Sequence, residues 1–181
     1  MILYHGTPIK KGKAIIRDGK IKCQDIERHE GYENIIGGTT EGYVYLTKNL
    51  HTAFFYGNNW TIGERYVEDK YVYIFKMNIE DECDLLEPDY DELNVMKIKY
   101  SQDITWKESL AKCGCVRIKK ELCIEEMEYL QIPATANHRE KQEDLEICWN
   151  LSKMQLDKTL VKQRLKQLEK EIEERWAWKK L

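Results

Sequence analysis

The stretch Tyr71–Asn78, with the sequence YVYIFKMN, constrains the fold more than any other part of the chain. Most of its residues are β-branched, aromatic or otherwise apolar, and these types favour extended backbone on a packed, pleated surface. Because both faces of this strand are apolar, we expect it to lie in the centre of a sheet. The chain of 181 residues is long enough for one domain built on that strand, with room for an appendage.

Weaker patterns predict the other elements of the same domain. Strands are expected at residues 2–4, 44–47, 95–100, 116–118 and 129–132, and helices at residues 10–18, 50–56 and 106–112. Residues 5–8 are expected to end the first strand, because glycine and proline interrupt a ladder. Loops are expected at the polar or acidic stretches 21–40, 58–69 and 81–92, the first of them as a lid over a pocket or a loop that faces the substrate. The predicted fold class is therefore α+β.

Residues 138–181 differ in character from the rest, since they contain no Gly or Pro and are rich in Lys, Glu, Gln and Leu. Their apolar residues recur in a heptad-like alternation at Ile147, Leu151, Met154, Val161, Leu165, Leu168 and Ile172. We therefore divide the chain into a core domain at 1–137 and a C-terminal helical, coiled-coil-like segment at 138–181. Two interpretations stay open: a long helix or helical hairpin folded back on the core, or an arm that forms a homodimer or binds a helical partner.

Composition argues against several classes of protein. A net charge of −3 provides no global basic field for nucleic acid, and no apolar run approaches the ~20 residues of a membrane span. No signal peptide opens the chain, so we expect a cytoplasmic protein with its six cysteines reduced. The Cys113-Gly-Cys115 spacing is too short for a zinc ribbon, and the acidic stretch lacks the glycine of an EF-hand loop, so no metal is expected.

A second stretch, at residues 42–56, carries the candidate binding residues. It joins the expected strand at 44–47 to a short helix. The strand carries Tyr45 and the helix carries Tyr56, and their rings could stack on a planar ligand ring. His5, on a small turn followed by glycine, is a polar anchor for the same ligand. The alternative interpretation is that the tyrosines are packing aromatics and that His5 is a surface residue of a turn.

The order of these parts resembles the ADP-ribosyltransferase superfamily of the diphtheria-toxin and poly(ADP-ribose) polymerase type. The signature of that family is His-Tyr-Glu on three separated strands, with the histidine in an HG[ST] turn. The matching residues are His5-Gly6-Thr7, Val44-Tyr45-Leu46-Thr47, and Ala53 and Tyr56 at eight and eleven positions after Tyr45. The resemblance covers about residues 1–133 and extends to the small rifampicin-modifying ADP-ribosyltransferases. It implies a split antiparallel β-sheet core and NAD as a consumed substrate, without a metal.

The resemblance also implies roles for these side chains. His5 is expected to donate to ribose hydroxyls, with Gly6 and Thr7 beside it in the cofactor site. Tyr45 and Tyr56 are expected to sandwich the nicotinamide ring, with Ala53 as the small residue between them along the chain.

The third element of the signature departs from the family. When the third motif of the family is aligned with the end of the core domain, Cys115 takes the position of the catalytic glutamate. A thiol, with an ordinary pKa near ~8.5, is mostly neutral at pH 7 and poorly stabilises the oxocarbenium-like charge that a carboxylate stabilises. Other candidates for the acid are Glu108, Glu121, Asp84 and Asp89.

Three functions stay open at this point. The first is an NAD-dependent mono-ADP-ribosyltransferase, a glycosyltransferase that releases nicotinamide and modifies a protein, nucleic-acid or small-molecule acceptor; it includes a toxin or phage-type effector. The second is a degenerate module that binds NAD or ADP-ribose and recruits a partner through its helical segment. The third is an RNA 2′-phosphotransferase, which shares the fold and an HGT motif, although Tyr45 stands where that enzyme has a histidine.

Overall fold

The computed structural model describes residues 1–23, 39–63, 70–80, 83–156 and 162–181. Within these ranges the chain is a mixed α+β structure with six helices and a mostly antiparallel sheet. The strands are β1 (Ile2–Pro8), β2 (Lys20–Ile21), β3 (Val44–Thr47), β4 (Tyr71–Asn78), β5 (Leu86–Pro88), β6 (Cys115–Ile118), β7 (Leu122–Cys123), β8 (Glu128–Pro133) and β9 (Lys179–Lys180). The helices are α1 (Ile9–Asp18), α2 (Leu50–Gly63), α3 (Tyr90–Val95), α4 (Trp106–Lys112), α5 (Gln142–Leu156) and α6 (Lys162–Arg175).

The main sheet has seven strands in the order β5-β6-β3-β1-β4-β8-β9, and β2 pairs with β7 in a second, two-stranded sheet. Strand β4 lies between β1 and β8 and pairs with both along most of its length. Its Val72, Ile74 and Phe75 are fully buried at 0% exposure. Val72 and Ile74 contribute to the apolar cluster on one face of the sheet and Phe75 to the cluster on the other. The prediction of a central strand with two apolar faces is therefore confirmed.

The sheet is weakly joined at one place, between β1 and β3. These strands share the single register pair Tyr4–Thr47, whereas β1 pairs with β4 along seven residues and β3 with β6 along four. Beyond Tyr4 and Thr47 the two strands no longer form a ladder. Their backbones and side chains are therefore free to border a cavity instead of a neighbouring strand.

Helices cover both faces of the sheet. Helix α1 lies on the face formed by Leu3, Val44 and Phe75, and Ile15 and Ile16 of this helix pack there, partly buried. Helices α2, α5 and α6 lie on the opposite face.

The C-terminal helices share one apolar cluster with the sheet. Leu151, Met154, Leu168 and Ile172 are buried together with Val72 and Leu130 of the central strands. Arg175, at the end of α6, forms ion pairs with Glu143 and Asp144 at the start of α5, so the two helices run antiparallel. These apolar residues of the heptad-like pattern therefore pack against the sheet of the same chain. Val161 and Lys158, which belong to the same pattern, lie outside the described residues.

Strand β1 is longer than its sequence indicates. The expectation that residues 5–8 end it is wrong, because β1 continues through Pro8 and pairs with β4 from Ile2–Asn78 to Pro8–Val72. Gly6 is needed inside this strand because α2 crosses it closely. A Cβ atom on Gly6 would lie 1.7 Å from the carbonyl oxygen of Ala53. Pro8 costs little, because it is also the residue that precedes α1, where a missing N–H is tolerated.

Helix α2 also extends beyond its expected end at residue 56, to Gly63. Asn58 and Thr61, which were expected in a loop, are buried and hydrogen-bonded: Asn58 accepts from Thr135, and Thr61 donates to the Gly57 carbonyl. These two polar residues can therefore be buried in a helix, because their side chains have hydrogen-bond partners there. Residues 64–69, the rest of that expected loop, lie outside the described residues, as do residues 24–38 of the expected lid.

The acidic stretch is not a simple loop, because β5 and the short helix α3 lie within it. Asp89 caps α3 by accepting a hydrogen bond from the Glu92 backbone N–H at 2.9 Å. The strand expected at residues 95–100 is wrong, since Val95 ends α3 and Ile98 N–H closes the turn on the Leu93 carbonyl. Residues 81 and 82 are outside the described ranges.

None of the helices in the described parts of the chain combines the length and the apolar character needed to cross a bilayer.

Candidate active site

A cavity of about 240 Å³ borders the place where β3 leaves β1. Its wall includes all the residues that the resemblance assigns to the NAD site: His5, Gly6, Thr7, Tyr45, Ala53, Tyr56 and Cys115. It also includes Asp89, Asp91 and Glu92 from the start of α3 and Lys11 from α1. Residues separated by more than a hundred positions along the chain therefore meet at one concave surface.

His5 bridges the gap between the two separated strands. Its Nδ1 lies 3.0 Å from the carbonyl oxygen of Tyr45. Because a carbonyl only accepts, Nδ1 carries the proton in this contact. Burial lowers the pKa of His5, a shift that the hydrogen bond to Tyr45 opposes and the charge of Lys11 reinforces. The ring is therefore neutral at pH 7 and keeps Nε2 as a hydrogen-bond acceptor, so a ribose hydroxyl would donate to His5 and not accept from it as the resemblance implies.

Two close backbone contacts fix α2 against β1 at the cavity. The first is between Gly6 and Ala53, described above. In the second, a Cβ atom on Gly57 would lie 2.9 Å from the backbone nitrogen of Thr7. Both glycines allow a separation that other residues would not. The position of Tyr56 relative to His5 is thus set by backbone packing, which leaves it little freedom.

Tyr45 is held by Asp91. Its hydroxyl donates to Asp91 Oδ2 at 2.5 Å and lies 2.7 Å from the Thr40 carbonyl oxygen. The same carboxylate accepts from the backbone N–H and the hydroxyl of Thr40, at 2.8 and 2.9 Å. Burial and then the hydrogen bond to Asp91 raise the pKa of Tyr45. The phenol therefore stays protonated and fixed in direction over the working pH range.

Tyr56 has the same relation to Glu92. Its hydroxyl donates to Glu92 Oε2, and burial and then the Glu92 charge raise the pKa of Tyr56. The other oxygen of Glu92 accepts from Gln155 Nε2 at 3.1 Å. Glu92 is 4% exposed, so it is a buried carboxylate whose two oxygens both accept hydrogen bonds. Donors of this kind favour the charged form of a carboxyl group.

Asp89 completes this acidic wall, the set Asp89, Asp91 and Glu92. It is 4% exposed, and burial raises its pKa to about 7, although the hydrogen bond from the Glu92 backbone N–H acts in the opposite direction. The negative charge of Glu92 raises it further. A carboxyl group that exchanges its proton near neutral pH in a cavity is a candidate general acid or base.

Cys115 lies in the cavity wall but supplies no charge. It is 3% exposed, and a hydrogen bond with Cys113 and then burial raise its pKa well above the ordinary value. Ser109 donates to its carbonyl oxygen at 2.8 Å and so fixes the start of β6. A neutral thiol at this position does not replace the carboxylate that the resemblance expects there.

The structure separates the alternative acids that the sequence left open. Asp89 lines the cavity. Glu108 instead closes the capping box of α4 with Thr105, Glu121 pairs with Lys20, and Asp84 is exposed. Sequence reasoning did not single out Asp91 or Glu92. The available signal was the pattern of an N-cap aspartate followed by an acidic first turn, which predicts a helix start within the acidic stretch.

The walls of the cavity carry opposite charges. The acidic wall and the two tyrosine hydroxyls lie on the α3 side. Lys11 on α1, and Lys20 and Lys22 around β2, also line the cavity, but Lys20 is paired with Glu121 and Lys22 with Asp18, which itself lines the cavity. Lys11 lies over the ring of Trp60, with Nζ 5.3 Å from its centroid. The cavity thus suits a ligand with a cationic and an anionic part.

No group of three or more His, Cys, Asp or Glu side chains among the described residues is arranged to hold a metal ion.

No family model matches this chain, and neither a curated protein nor a solved structure matches it.

Proposed function

We propose that this protein is an NAD-dependent mono-ADP-ribosyltransferase, which transfers ADP-ribose to an acceptor and releases nicotinamide. The observation that supports it most is the meeting of His5, Tyr45 and Tyr56 at one cavity that also contains buried carboxylates. This combination provides a hydroxyl-binding imidazole, aromatic walls for a flat ring and negative charge for a cationic transition state.

The charge distribution of the cavity supports the same ligand. The nicotinamide ring of NAD is cationic and its diphosphate is anionic. The acidic wall and the tyrosines suit the nicotinamide end, and Lys11 suits the diphosphate. Offset stacking of the nicotinamide on a tyrosine would add about 0.5–1.5 kcal/mol beyond the burial of its surface.

In the proposed reaction, the bond between the anomeric carbon of the ribose and the nicotinamide nitrogen breaks. Nicotinamide leaves with the bonding electron pair, and positive charge develops on the ribose. Glu92 stabilises that charge, because it is buried and its ionised form accepts hydrogen bonds from Tyr56 and Gln155. His5 Nε2 accepts a hydrogen bond from a ribose hydroxyl. The nucleophilic atom of the acceptor then forms the new bond to the anomeric carbon, and its proton passes to Asp89.

The test is release of nicotinamide from NAD by the purified chain, measured by chromatography, with water as the minimal acceptor. We expect release by the wild-type chain, and a loss of about 10²-fold in Glu92→Gln and in His5→Ala. Tyr100→Phe is the matched control, because Tyr100 lies outside the cavity wall and bonds to Asn94. Absence of release and of NAD binding in the wild type, or equal rates in all variants, would overturn the proposal.

A second candidate is a module that binds NAD or ADP-ribose without chemistry. The neutral, buried thiol of Cys115, in the position where the resemblance expects a glutamate, favours it. Calorimetry separates the two functions. Binding of NAD that depends on Tyr45 and His5, without nicotinamide release, would support the module and exclude the transferase.

A further inference from the structure

The C-terminal helix α5 sends one polar side chain into the acidic wall. Gln155 is next to the last residue of α5, and its Nε2 donates to Glu92 Oε1 at 3.1 Å. Its near neighbours on the same helix, Leu151 and Met154, are buried in the apolar cluster against the sheet. Gln155 is thus a polar exception at the edge of an apolar contact.

The Gln155 amide has a second partner. Thr52 on α2 donates its hydroxyl to Gln155 Oε1 at 2.8 Å. A hydroxyl can donate or accept, whereas a carboxylate only accepts, so Glu92 directs the amide nitrogen towards itself and the amide oxygen towards Thr52. The hydrogen bonds therefore form a chain in which Thr52 donates to Gln155 and Gln155 donates to Glu92, which also accepts from Tyr56.

We propose that Gln155 is a positioning residue that holds Glu92 ionised and correctly oriented, so that the C-terminal helix completes the active site. Its catalytic meaning rests on the proposed function, but its effect on Glu92 does not. The titratable groups that the charge of Glu92 acts on are Tyr56 on α2, Asp89 before α3, and Cys113 and Cys115 near the start of β6. Burial and the neighbouring carboxyl of Asp89 disfavour a charge on Glu92, and the hydrogen bonds from Tyr56 and Gln155 favour it.

Three variants test this role. Gln155→Met keeps the length of the side chain and removes both hydrogen bonds. Gln155→Glu places a second carboxylate beside Glu92. The matched control is Lys153→Gln, because Lys153 is exposed on the same helix and its loss lowers the net charge by the same amount as Gln155→Glu.

The primary readout is the protonation midpoint of Glu92, followed by NMR of chain labelled with ¹³C at the glutamate carboxyls. Glu92→Gln identifies the signal. We expect Gln155→Met to raise the midpoint by about one pH unit, since it removes a hydrogen bond to a charged group. Gln155→Glu should raise it further, because like charges disfavour ionisation. Lys153→Gln should leave it unchanged. An unchanged midpoint in Gln155→Met would overturn the positioning role.

A second readout links the same role to turnover. If Glu92 acts in its ionised form, the acidic limb of the pH profile for nicotinamide release should move upward with the NMR midpoint in Gln155→Met. A limb that stays in place while the midpoint moves would overturn the catalytic part of the inference. Absence of release in the wild type would overturn the proposed function alone, because the NMR midpoint does not depend on turnover. If Gln155→Glu does not fold, the protonation midpoint of Glu92 in Gln155→Met still tests the positioning role.

Discussion

Asp89 provides the sharpest test of the electrostatics of the acidic wall, through the substitution Asp89→Asn. Asparagine keeps the N-cap hydrogen bond to the Glu92 N–H and removes the charge. The pKa of Asp89 is raised by burial from its ordinary 3.8 to about 7, a difference of about 3 pH units. At ~1.36 kcal/mol per unit, ionising this buried group costs the folded state about 4 kcal/mol.

The sign of the effect follows from this raised pKa. Between pH 3.8 and about 7 the folded chain keeps a proton on Asp89 that the unfolded chain has lost. The contribution of Asp89 to stability is therefore complete below pH 3.8 and is lost as the pH rises through about 7. Asparagine has no such dependence. The free energy of unfolding of Asp89→Asn, taken relative to that of the wild type, should therefore rise by about 2–3 kcal/mol when the pH is raised from about 5 to about 8.

The assay is urea unfolding of both chains at the two pH values. Burial lowers the pKa of His5, and that of His51 to about 4, but both histidines are present in both chains and their effects cancel in the comparison. Asp84→Asn is the matched control, because Asp84 is exposed, and it should show no pH-dependent difference from the wild type. A constant difference between Asp89→Asn and the wild type at the two pH values would show that burial does not raise the pKa of Asp89 in the folded chain.

Three further substitutions test the packing around the site, each by urea unfolding. Gly6→Ala should lose more than about 2 kcal/mol or fail to fold, because its Cβ would lie 1.7 Å from the Ala53 carbonyl oxygen; retention of wild-type stability would show that this contact can relax. Thr105→Ala should lose about 1 kcal/mol with the capping box of α4, and a loss within the error of the measurement would contradict that role. Tyr45→Phe should lose about 1–2 kcal/mol because it removes one of the hydrogen-bond donors to the part-buried carboxylate of Asp91, whereas Tyr100→Phe should lose less than ~0.5 kcal/mol; equal losses would contradict this role of Tyr45.

Elements with strong local signals could be predicted from the sequence. The strand Val44–Thr47 and the helix Trp106–Lys112 occur with the expected bounds, and α1 ends at Asp18, followed by Gly19 as its C-cap with a positive φ of 70°. β-Branched runs, a capping box and a glycine C-cap each act within a few residues, so the sequence records them directly.

The elements that were missed depend on contacts distant in sequence. The continuation of β1 through Gly6 requires the backbone of α2 beside it, and that neighbour is not visible in the local pattern. The acidic stretch has the composition of a solvated loop, yet Asp89 and Glu92 are 4% exposed because β5 and α3 pack against the rest of the domain. Glu92, the proposed catalytic carboxylate, could therefore not be chosen from the sequence, although His5, Tyr45 and Tyr56 around the same cavity could be named.

A crystal structure of the chain soaked with NAD would test the proposed site most directly. The dinucleotide should occupy the cavity between β1 and β3, with the nicotinamide ring against Tyr45 or Tyr56. A ribose hydroxyl should donate a hydrogen bond to His5 Nε2, and the carboxylate of Glu92 should lie beside the nicotinamide ribose. NAD bound elsewhere on the molecule, or a cavity that stays closed to saturating NAD, would contradict the proposed site.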